Sequence, residues 1–369
     1  MGVNVKERLK QELYTLKDNN HYRSLKQING LIDFSSNDYL GISHLVTNGE
    51  ILLEPSQVSG SGGSRLLAGN YAQIEELETF LAEVHGCERA LVFNTGYTAN
   101  LGFFSAVPSK KETIIYDQKI HACVKDGMRL SLAAKTSFKH NDVNHLEKKL
   151  QNIKGEKYVV VESVYSMDGD CAPLQQIALL CKSYNAQLVV DEAHSTAVYG
   201  EQGAGLVSQL GLDQLVFAKI HTFGKGVGSH GACVVGSEVL IDYLINKSRP
   251  FIYTTAMPPG HAQDLLAIYQ YISQNYAQLH ETIHGKIELF RKTIKQLDVD
   301  SVSPIQVVII PGNEQVRAIA QKIQEKGFDV RPVMSPTVQK GEEILRICLH
   351  NYNTDLEIKA LANLINSLK

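Results

Sequence analysis

One buried strand that ends in polar residues constrains the fold of this chain more than any other feature. The segment reads QLVVDEAHS from Gln187 to Ser195, and its central Leu-Val-Val predicts a strand buried on both faces of a sheet. Asp191 then lies where the strand leaves the sheet, and His194 follows within one turn. Because ligands of open α/β sheets bind at the carboxyl ends of the strands, the pattern predicts an α/β fold with a site at Asp191.

A lysine among glycines completes the chemistry of this predicted site. Lys225 lies in the run TFGKG, where small neighbours leave space for a planar ring beside the amine. The run is not a nucleotide-binding P-loop, because Lys219 stands where that motif requires a glycine. Asp191, His194 and Lys225 together predict a site for pyridoxal phosphate. Asp191 would keep the pyridine nitrogen protonated, and Lys225 would form the Schiff base.

Composition narrows the class of protein. The chain has 369 residues, enough for about two domains, and its 36 basic and 39 acidic residues give a formal charge of −3. This balance argues against nucleic acid or an anionic membrane as a partner. The six cysteines form neither a CxxC pair nor a metal-ligand spacing, so we expect buried thiols, no metal site and a reducing compartment. No apolar run is long enough for membrane insertion, and no secretory signal opens the chain, so we expect a cytoplasmic protein.

Strand-like and helical segments alternate along most of the chain. We predict strands at RALVFN, TIIYD, TSFKHN, YVVVESV, QLVVDE and LVFAKI, with helices between them, and therefore a mostly parallel sheet covered on both faces. After a long amphipathic helix, the order strand, helix, strand, strand, helix predicts a smaller α+β domain that includes FDVRPV and ILRICLH. The predicted division is an N-terminal segment 1–45, a large domain 46–280 and a small domain 281–369.

Three further places are candidates for binding groups. FNTGYTAN, from Phe93 to Asn100, follows a strand and opens a helix, so its N–H groups would face a phosphate. His121 also begins a helix after a strand and would stack on the cofactor ring, or serve a structural role. Arg346 interrupts the strand ILRICLH, where it would hold a carboxylate or, as the alternative, face water. Arg23 is a candidate for a second carboxylate.

These residues lie in ordered motifs that resemble the α-oxoamine synthases, pyridoxal-phosphate enzymes of aspartate aminotransferase fold type I. The resemblance covers nearly the whole chain and implies a large domain with a mostly parallel seven-stranded sheet flanked by helices, plus a smaller C-terminal α+β domain. The motifs are SNDYLG (36–41), GSGGSR (60–65), HNDVNHLE (140–147), SMDGDCAPL (166–174), DEAHS (191–195), TFGKG (222–226), IYTTAMPP (252–259) and PTV (336–338).

The resemblance also implies a role for individual residues. The catalytic residues would be Lys225, His121 on the ring face, His194 on the ring phenolate oxygen and Asp191. The cofactor would be bound by Gly96, Tyr97, His121, Ser166, Asp191, His194, Thr222 and Lys225, and by Thr255 from a second subunit. The substrates would be bound by Asn37 and Arg346, with Arg23 as the weaker candidate. Such enzymes are homodimers that share their active sites across the interface.

The implied reaction is the decarboxylative condensation of an amino acid with an acyl thioester. The motifs are most similar to those members that join L-alanine to a pimeloyl thioester in biotin synthesis. Glycine C-acetyltransferase and serine palmitoyltransferase activities stay open as alternatives, as does the choice between a CoA and a carrier-protein thioester. Gln339 after PTV and the run CLHNYN after Arg346 depart from the family pattern near the acyl side. A nicotinamide-dependent oxidoreductase is disfavoured because no GxGxxG motif opens a βαβ unit.

Overall fold

The protein is described by a computed structural model that covers residues 4–19, 21–23, 25, 30–55, 58–295 and 297–368. The chain divides into two compact units, Met1–Leu31 and Ile32–Lys369. The first unit contains helix α1 (Val5–Asp18), which begins where the Asn4 side chain accepts the N–H of Lys6 at 3.0 Å and which buries none of its residues. The second unit carries all the strands of the described residues.

In this second unit the helices are α2 (Ile42–Thr47), α3 (Ala72–Val84), α4 (Gly96–Ala106), α5 (Ala122–Leu130), α6 (Val143–Asn152), α7 (Leu174–Ser183), α8 (Leu206–Gln209), α9 (Glu238–Lys247), α10 (Arg249–Ile252), α11 (Pro259–Thr293), α12 (Asn313–Glu325) and α13 (Asp355–Leu368). The strands are β1 (Ile32–Asp33), β2 (Arg89–Phe93), β3 (Thr113–Asp117), β4 (Ala134–Phe138), β5 (Lys157–Glu162), β6 (Gln187–Asp191), β7 (Ala218–Thr222), β8 (Ala232–Gly236), β9 (Ile305–Ile309), β10 (Phe328–Asp329), β11 (Arg331–Val333) and β12 (Ile344–Cys348).

The main sheet has seven strands in the order β2-β8-β7-β6-β5-β3-β4. Strand β8 runs antiparallel to both of its neighbours, and the other six strands run parallel to one another. The predicted mostly parallel seven-stranded sheet is confirmed. Strand β8 was not predicted, although its apolar run ACVVG lies between Gly231 and Ser237 and is long enough for a buried strand.

Alternate residues of the central strands pack on opposite faces of the sheet. In β5, Val159 and Val161 join the apolar cluster that includes Leu146 of α6, whereas Val160 joins the cluster that includes Phe103 of α4. All six residues of β5 are buried. Helices therefore cover both faces, as the uninterrupted apolar runs predict for parallel strands, and only the strand ends are open to a ligand.

The C-terminal part differs from the prediction in one segment. FDVRPV forms two short strands and not one: β10 pairs in parallel with β1, whereas β11 joins the antiparallel sheet β11-β12-β9. A turn at Val330, whose N–H donates to the carbonyl of Phe328 at 3.1 Å, separates them. Because β1 supplies the partner of β10, the start of the second unit is tied to its C-terminal part.

The long helix α11 continues without interruption from residue 259 to residue 293. The predicted boundary at residue 280 falls inside it, and the division into domains 46–280 and 281–369 stays a prediction. Among the described residues, every helix is too short or too polar to cross a bilayer.

We expect the packing of α4 against the sheet to support the fold strongly. Phe103 of α4 is fully buried against Phe104 and Phe217. Phe103→Ala should lower the free energy of unfolding by about 3–5 kcal/mol, because it removes apolar contacts and leaves a cavity. Denaturant unfolding measures this loss. Leu179→Ala, at a side chain that is 61% exposed on α7, is the control and should change stability little; equal losses would contradict the expectation.

Candidate active site

Six strands point their carboxyl ends at the same edge of the main sheet, and a cavity of about 280 Å³ opens there. Asp191 ends β6, Glu162 ends β5 and Thr222 ends β7. Seven of the predicted site residues line this cavity. Its lining is Thr95, Gly96, Tyr97, Asn100, His121, Cys123, Glu162, Asp191, Ala193, His194, Thr222, Gly224, Lys225, His230 and Gly231.

Asp191 is buried, and both of its carboxylate oxygens are hydrogen bonded. Oδ2 accepts a bond from Asn100 Nδ2 at 2.9 Å, and Oδ1 accepts one from the backbone N–H of Ala193 at 3.0 Å. Bonds from N–H donors stabilise the ionised form of a buried carboxyl group. The carboxylate is therefore held in place as the anionic partner that a protonated pyridine nitrogen requires.

Lys225 and His194 are in direct contact. Lys225 Nζ lies 2.9 Å from His194 Nε2, and Tyr39 Oη lies 2.7 Å from His194 Nδ1. Tyr39 donates its own proton to Asn37 Oδ1 at 3.1 Å, so His194 Nδ1–H donates to Tyr39 and His194 Nε2 accepts from the lysine. This arrangement requires a neutral imidazole.

Burial shifts the protonation of these groups in the direction that the arrangement requires. It lowers the pKa of His194 well below the ordinary value, with a further contribution from Lys225, and it raises the pKa of Tyr39, so Tyr39 keeps its proton. Burial also lowers the pKa of Lys225, although the charge of Asp191 opposes this effect. A lysine whose pKa is lowered supplies neutral amine, the form that acts as a nucleophile or base.

Arg346 lies at the end of the same network. Its Nε donates to the carbonyl of Ser166 at 2.8 Å, and its Nη2 donates to Asn37 Oδ1 at 3.0 Å. Through Asn37 and Tyr39 the guanidinium is connected to His194. The structure thus joins Asn37, Ser166 and Arg346, which are far apart in the sequence and do not line the 280 Å³ cavity themselves. A guanidinium in this place suits a substrate carboxylate.

The start of α4 is the place where the sequence predicts a phosphate cradle. Thr95 caps the helix by accepting the N–H of Thr98 at 3.1 Å, so the N–H groups of Gly96 and Tyr97 begin the helix without an intrahelical acceptor. A Cβ atom at Gly96 would lie 2.4 Å from Cγ2 of Thr222. Only glycine therefore lets the helix start approach β7 closely enough to leave an anion site beside Thr222.

His121 caps α5 with its own side chain. Its Nδ1 accepts the backbone N–H of Cys123 at 3.2 Å and lies 2.9 Å from Cys123 Sγ. Nδ1 is therefore unprotonated, and burial lowers the pKa of the imidazole. A neutral imidazole in this cavity is consistent with the prediction that His121 stacks on the cofactor ring.

The residues present fit pyridoxal phosphate. An amine, a buried carboxylate and an open helix start with no room for a Cβ atom line one cavity, and they match the aldehyde, the pyridine nitrogen and the phosphate of that cofactor.

Two further predicted residues belong neither to the lining of this cavity nor to the hydrogen-bonded network of Arg346. Thr255 is exposed, and its carbonyl accepts Asn94 Nδ2 at 2.8 Å. Arg23 is an exposed residue of the first unit. The roles of both residues stay predictions.

Sequence reasoning missed several residues that the site uses. Tyr39 and Asn100 were not singled out, although Tyr39 lies within SNDYLG and Asn100 ends FNTGYTAN. Their positions within those motifs were the available signal. Glu162 follows the apolar run of β5 as Asp191 follows that of β6, and this parallel could have identified it.

A second cluster of polar residues supports the loop that carries Ser166. His140 Nδ1 lies 3.0 Å from Asp117 Oδ1, and its Nε2 lies 2.8 Å from Asp170 Oδ2. His140, Asp168 and Asp170 also lie close enough together to hold a metal ion. Both ring nitrogens of His140, however, already bind carboxylates, so the ring acts as a protonated bridge without a lone pair for a metal.

The six cysteines are all unpaired. Four of them are buried, as predicted, whereas Cys87 and Cys171 are only partly buried.

Comparison with known proteins identifies relatives over nearly the full chain. The family model for aminotransferase class I and II matches residues 29–365. An 8-amino-7-oxononanoate synthase of Emericella nidulans is 38% identical over 363 residues, which cover 90% of this chain and 88% of that protein.

Two solved structures share the fold. Serine palmitoyltransferase from S. paucimobilis, with a bound PLP-myriocin aldimine, superimposes with a TM-score of 0.89 at 26% identity and covers 99% of this chain and 98% of its own. The 8-amino-7-oxononanoate synthase of Francisella tularensis superimposes with a TM-score of 0.76 at 27% identity and covers 92% of this chain and 98% of its own.

The bond from Asn100 to Asp191 makes a testable contribution to cofactor binding. Asn100→Ala should weaken the affinity for pyridoxal phosphate about tenfold or more, because a hydrogen bond to a buried charge is lost. Titration of the apoprotein by fluorescence measures the change. Asn246→Ala removes an amide that bonds to the backbone on the exposed side of α9 and should leave the affinity unchanged. Equal affinities of the two variants would contradict this role.

The His140 bridge predicts a pH dependence of stability. Burial alone would lower the pKa of His140, but the hydrogen bonds to Asp117 and Asp170 raise it to about 9 from 6.5. The bridge is therefore complete below pH 6.5 and is lost as pH rises through about 9. Over this window the wild type should lose about 1–2 kcal/mol of unfolding free energy that His140→Asn does not lose. If the unfolding free energies of the two proteins change with pH in the same way, His140 is not charged.

Proposed function

We propose, from the premise that the chain belongs to the aminotransferase class I and II family and within it to the 8-amino-7-oxononanoate synthases, that it condenses L-alanine with a pimeloyl thioester. The products are 8-amino-7-oxononanoate, CO2 and the free thiol of CoA or of a carrier, within biotin synthesis. Pyridoxal phosphate is the cofactor. The observation that carries the proposal is the hydrogen-bonded chain from Lys225 through His194, Tyr39 and Asn37 to Arg346, which joins a reactive amine to a carboxylate-binding group.

The proposed cofactor contacts follow from the lining of the cavity. When bound, pyridoxal phosphate supplies a ring that stabilises negative charge on the substrate carbon next to the amine. Asp191 holds the proton of the ring nitrogen, and His121 covers one face of the ring. Gly96, Tyr97 and Thr222 would bind the phosphate, and His194 would contact the ring phenolate oxygen. Ser166, which lies outside the lining of the cavity, stays a further candidate for binding the cofactor.

Lys225 acts as the base in this proposal. Its Nζ, whose pKa is lowered by burial, accepts the proton from the α-carbon of alanine. His194 stays neutral next to it, because its Nδ1 is hydrogen bonded to Tyr39 and burial disfavours the charged ring.

Arg346 orients the amino acid. Its Nε and Nη2 are anchored by Ser166 and Asn37, so the planar guanidinium is fixed before substrate arrives. A fixed guanidinium binds a carboxylate at a lower entropy cost than a free one. Arg23 stays the weaker candidate for binding a second substrate carboxylate.

A homodimer completes the proposed site. Thr255 is exposed next to a loop held by the bond from the N–H of Ala256 to the carbonyl of Gly63 at 2.9 Å. The large side chains Leu66, Leu67 and Tyr253 in the same two segments are exposed to 51%, 86% and 71%. Such apolar exposure suits an interface, through which Thr255 would reach the phosphate bound in a second subunit. Six unpaired cysteines suit a cytoplasmic location.

A serine palmitoyltransferase activity is the second candidate. The TM-score with that enzyme, 0.89, exceeds the 0.76 with the Francisella synthase. The identity of 38% with the Emericella synthase, against 26% with the palmitoyltransferase, favours alanine and pimeloyl as the substrates.

Release of free thiol tests the proposed function. The cofactor-loaded protein is incubated with alanine, glycine or serine, each combined with pimeloyl-, acetyl- or palmitoyl-CoA. We expect release with alanine and pimeloyl-CoA, and loss of that release in Lys225→Ala, because no other residue in the described cavity offers an amine. Lys182→Ala, at an exposed position in the last turn of α7, is the matched control. Release only with serine and palmitoyl-CoA would replace the proposal by its second candidate.

A further inference from the structure

Glu162 is a second buried carboxyl group in the cofactor cavity. It ends β5 and is 2% exposed, and it lines the cavity together with Asp191. The two residues are register partners on neighbouring parallel strands. Side chains of register partners project from the same face of a sheet, about 5 Å apart. Two carboxyl groups therefore lie side by side at the place where the ring nitrogen of the cofactor binds.

The hydrogen bonds of this pair are unequal. Asp191 receives N–H bonds on both oxygens, from Asn100 and Ala193. Glu162 Oε1, by contrast, is buried without a hydrogen-bond partner. Two adjacent buried carboxyl groups cannot both ionise at low cost. Asp191 has an N–H donor on each oxygen, whereas Glu162 has one buried oxygen without a donor, so Glu162 is the member of the pair that takes the proton.

The surrounding charges act in the same direction. Burial raises the pKa of Glu162 most strongly, and the charge of Asp191 raises it further. Lys225 and the backbone N–H groups of His121 and Ser166 oppose these effects to a smaller extent. The other titratable side chains that line the cavity are Tyr97, His121, Cys123, His194 and His230.

We propose that Glu162 is a positioning residue that holds a proton next to Asp191 and thereby confines the negative charge of the pair to the oxygen atoms facing the cofactor ring nitrogen. The proton lies on the carboxyl group of Glu162. An ionised Glu162 would place a second negative charge beside Asp191. The inference rests on the cofactor and not on the identity of the amino acid or the acyl donor.

Infrared spectroscopy of the cofactor-loaded protein tests the protonation state directly. A protonated carboxylic acid has a carbonyl stretching band that a carboxylate lacks and that shifts in heavy water. At neutral pH, the spectrum of wild type minus that of Glu162→Gln should contain this band. The band should disappear as the pH is raised. In Asp191→Asn it should disappear at a lower pH, because the neighbouring charge is gone. Absence of the band from the wild-type spectrum at neutral pH would overturn the proposal.

Cofactor affinity gives the second readout, with Glu162→Gln as a neutral replacement of nearly the same shape. At neutral pH this variant should bind pyridoxal phosphate within about threefold of wild type, because a neutral group replaces a neutral group. Asp191→Asn should bind about tenfold more weakly or worse, because it removes the charge. A loss in Glu162→Gln as large as that in Asp191→Asn would show that Glu162 carries a functional charge and would overturn the proposal. If Glu162→Gln does not fold, the titration of the wild-type band and its shift in Asp191→Asn decide the question.

These measurements use no substrate. A protein that fails to release thiol from pimeloyl-CoA contradicts the proposed function and leaves the statement about Glu162 to be decided by the infrared band. Conversely, if the protein condenses alanine with pimeloyl-CoA but lacks the band at neutral pH, the proposed function is supported and the statement about Glu162 is contradicted.

Discussion

The buried charge of Asp191 is the constraint on which the rest of the site depends. A carboxylate at the end of a central strand is stable only when N–H donors replace the water that burial removes. Asn100 on α4 and the backbone of Ala193 provide those donors. This requirement fixes α4 against β6, and the same helix then offers its first N–H groups to a phosphate. One charge therefore positions the helix start that the proposal assigns to the phosphate.

A second consequence concerns the opposite side of the cavity, where neutral groups predominate. His194, Tyr39 and Lys225 lie in contact, and burial shifts each pKa toward the uncharged form. Positive charge is instead placed on Arg346, at the far end of the chain of hydrogen bonds. In the proposed roles, Asp191 is the anionic partner of the ring nitrogen, Lys225 is the neutral base and Arg346 binds the carboxylate. A proton transfer next to a carboxylate requires this separation of charges.

The residues after Arg346 that depart from the family pattern contact Arg346 itself and the segment before Asn37. Cys348 Sγ accepts Arg346 Nη1 at 3.0 Å, and Tyr352 Oη donates to Asp33 Oδ2 at 2.8 Å. His350 Nε2 lies 3.0 Å from the carbonyl of Ser36, next to Asn37. The run CLHNYN therefore packs against the loop that carries Asn37. It acts on the position of Arg346 through contacts within the protein.

The sequence by itself determined the α/β class, the mostly parallel sheet and the grouping of Asp191, His194 and Lys225, because apolar runs and the residues that follow them are local patterns. It did not determine strand β8, the division of FDVRPV between two sheets, or the roles of Tyr39, Asn100 and Glu162. Only the tertiary structure decided these, since strand register and the meeting of helix starts with strand ends join residues that are distant in the chain. Arg346 lies 309 positions from Asn37, and no local pattern specifies a hydrogen bond across that separation.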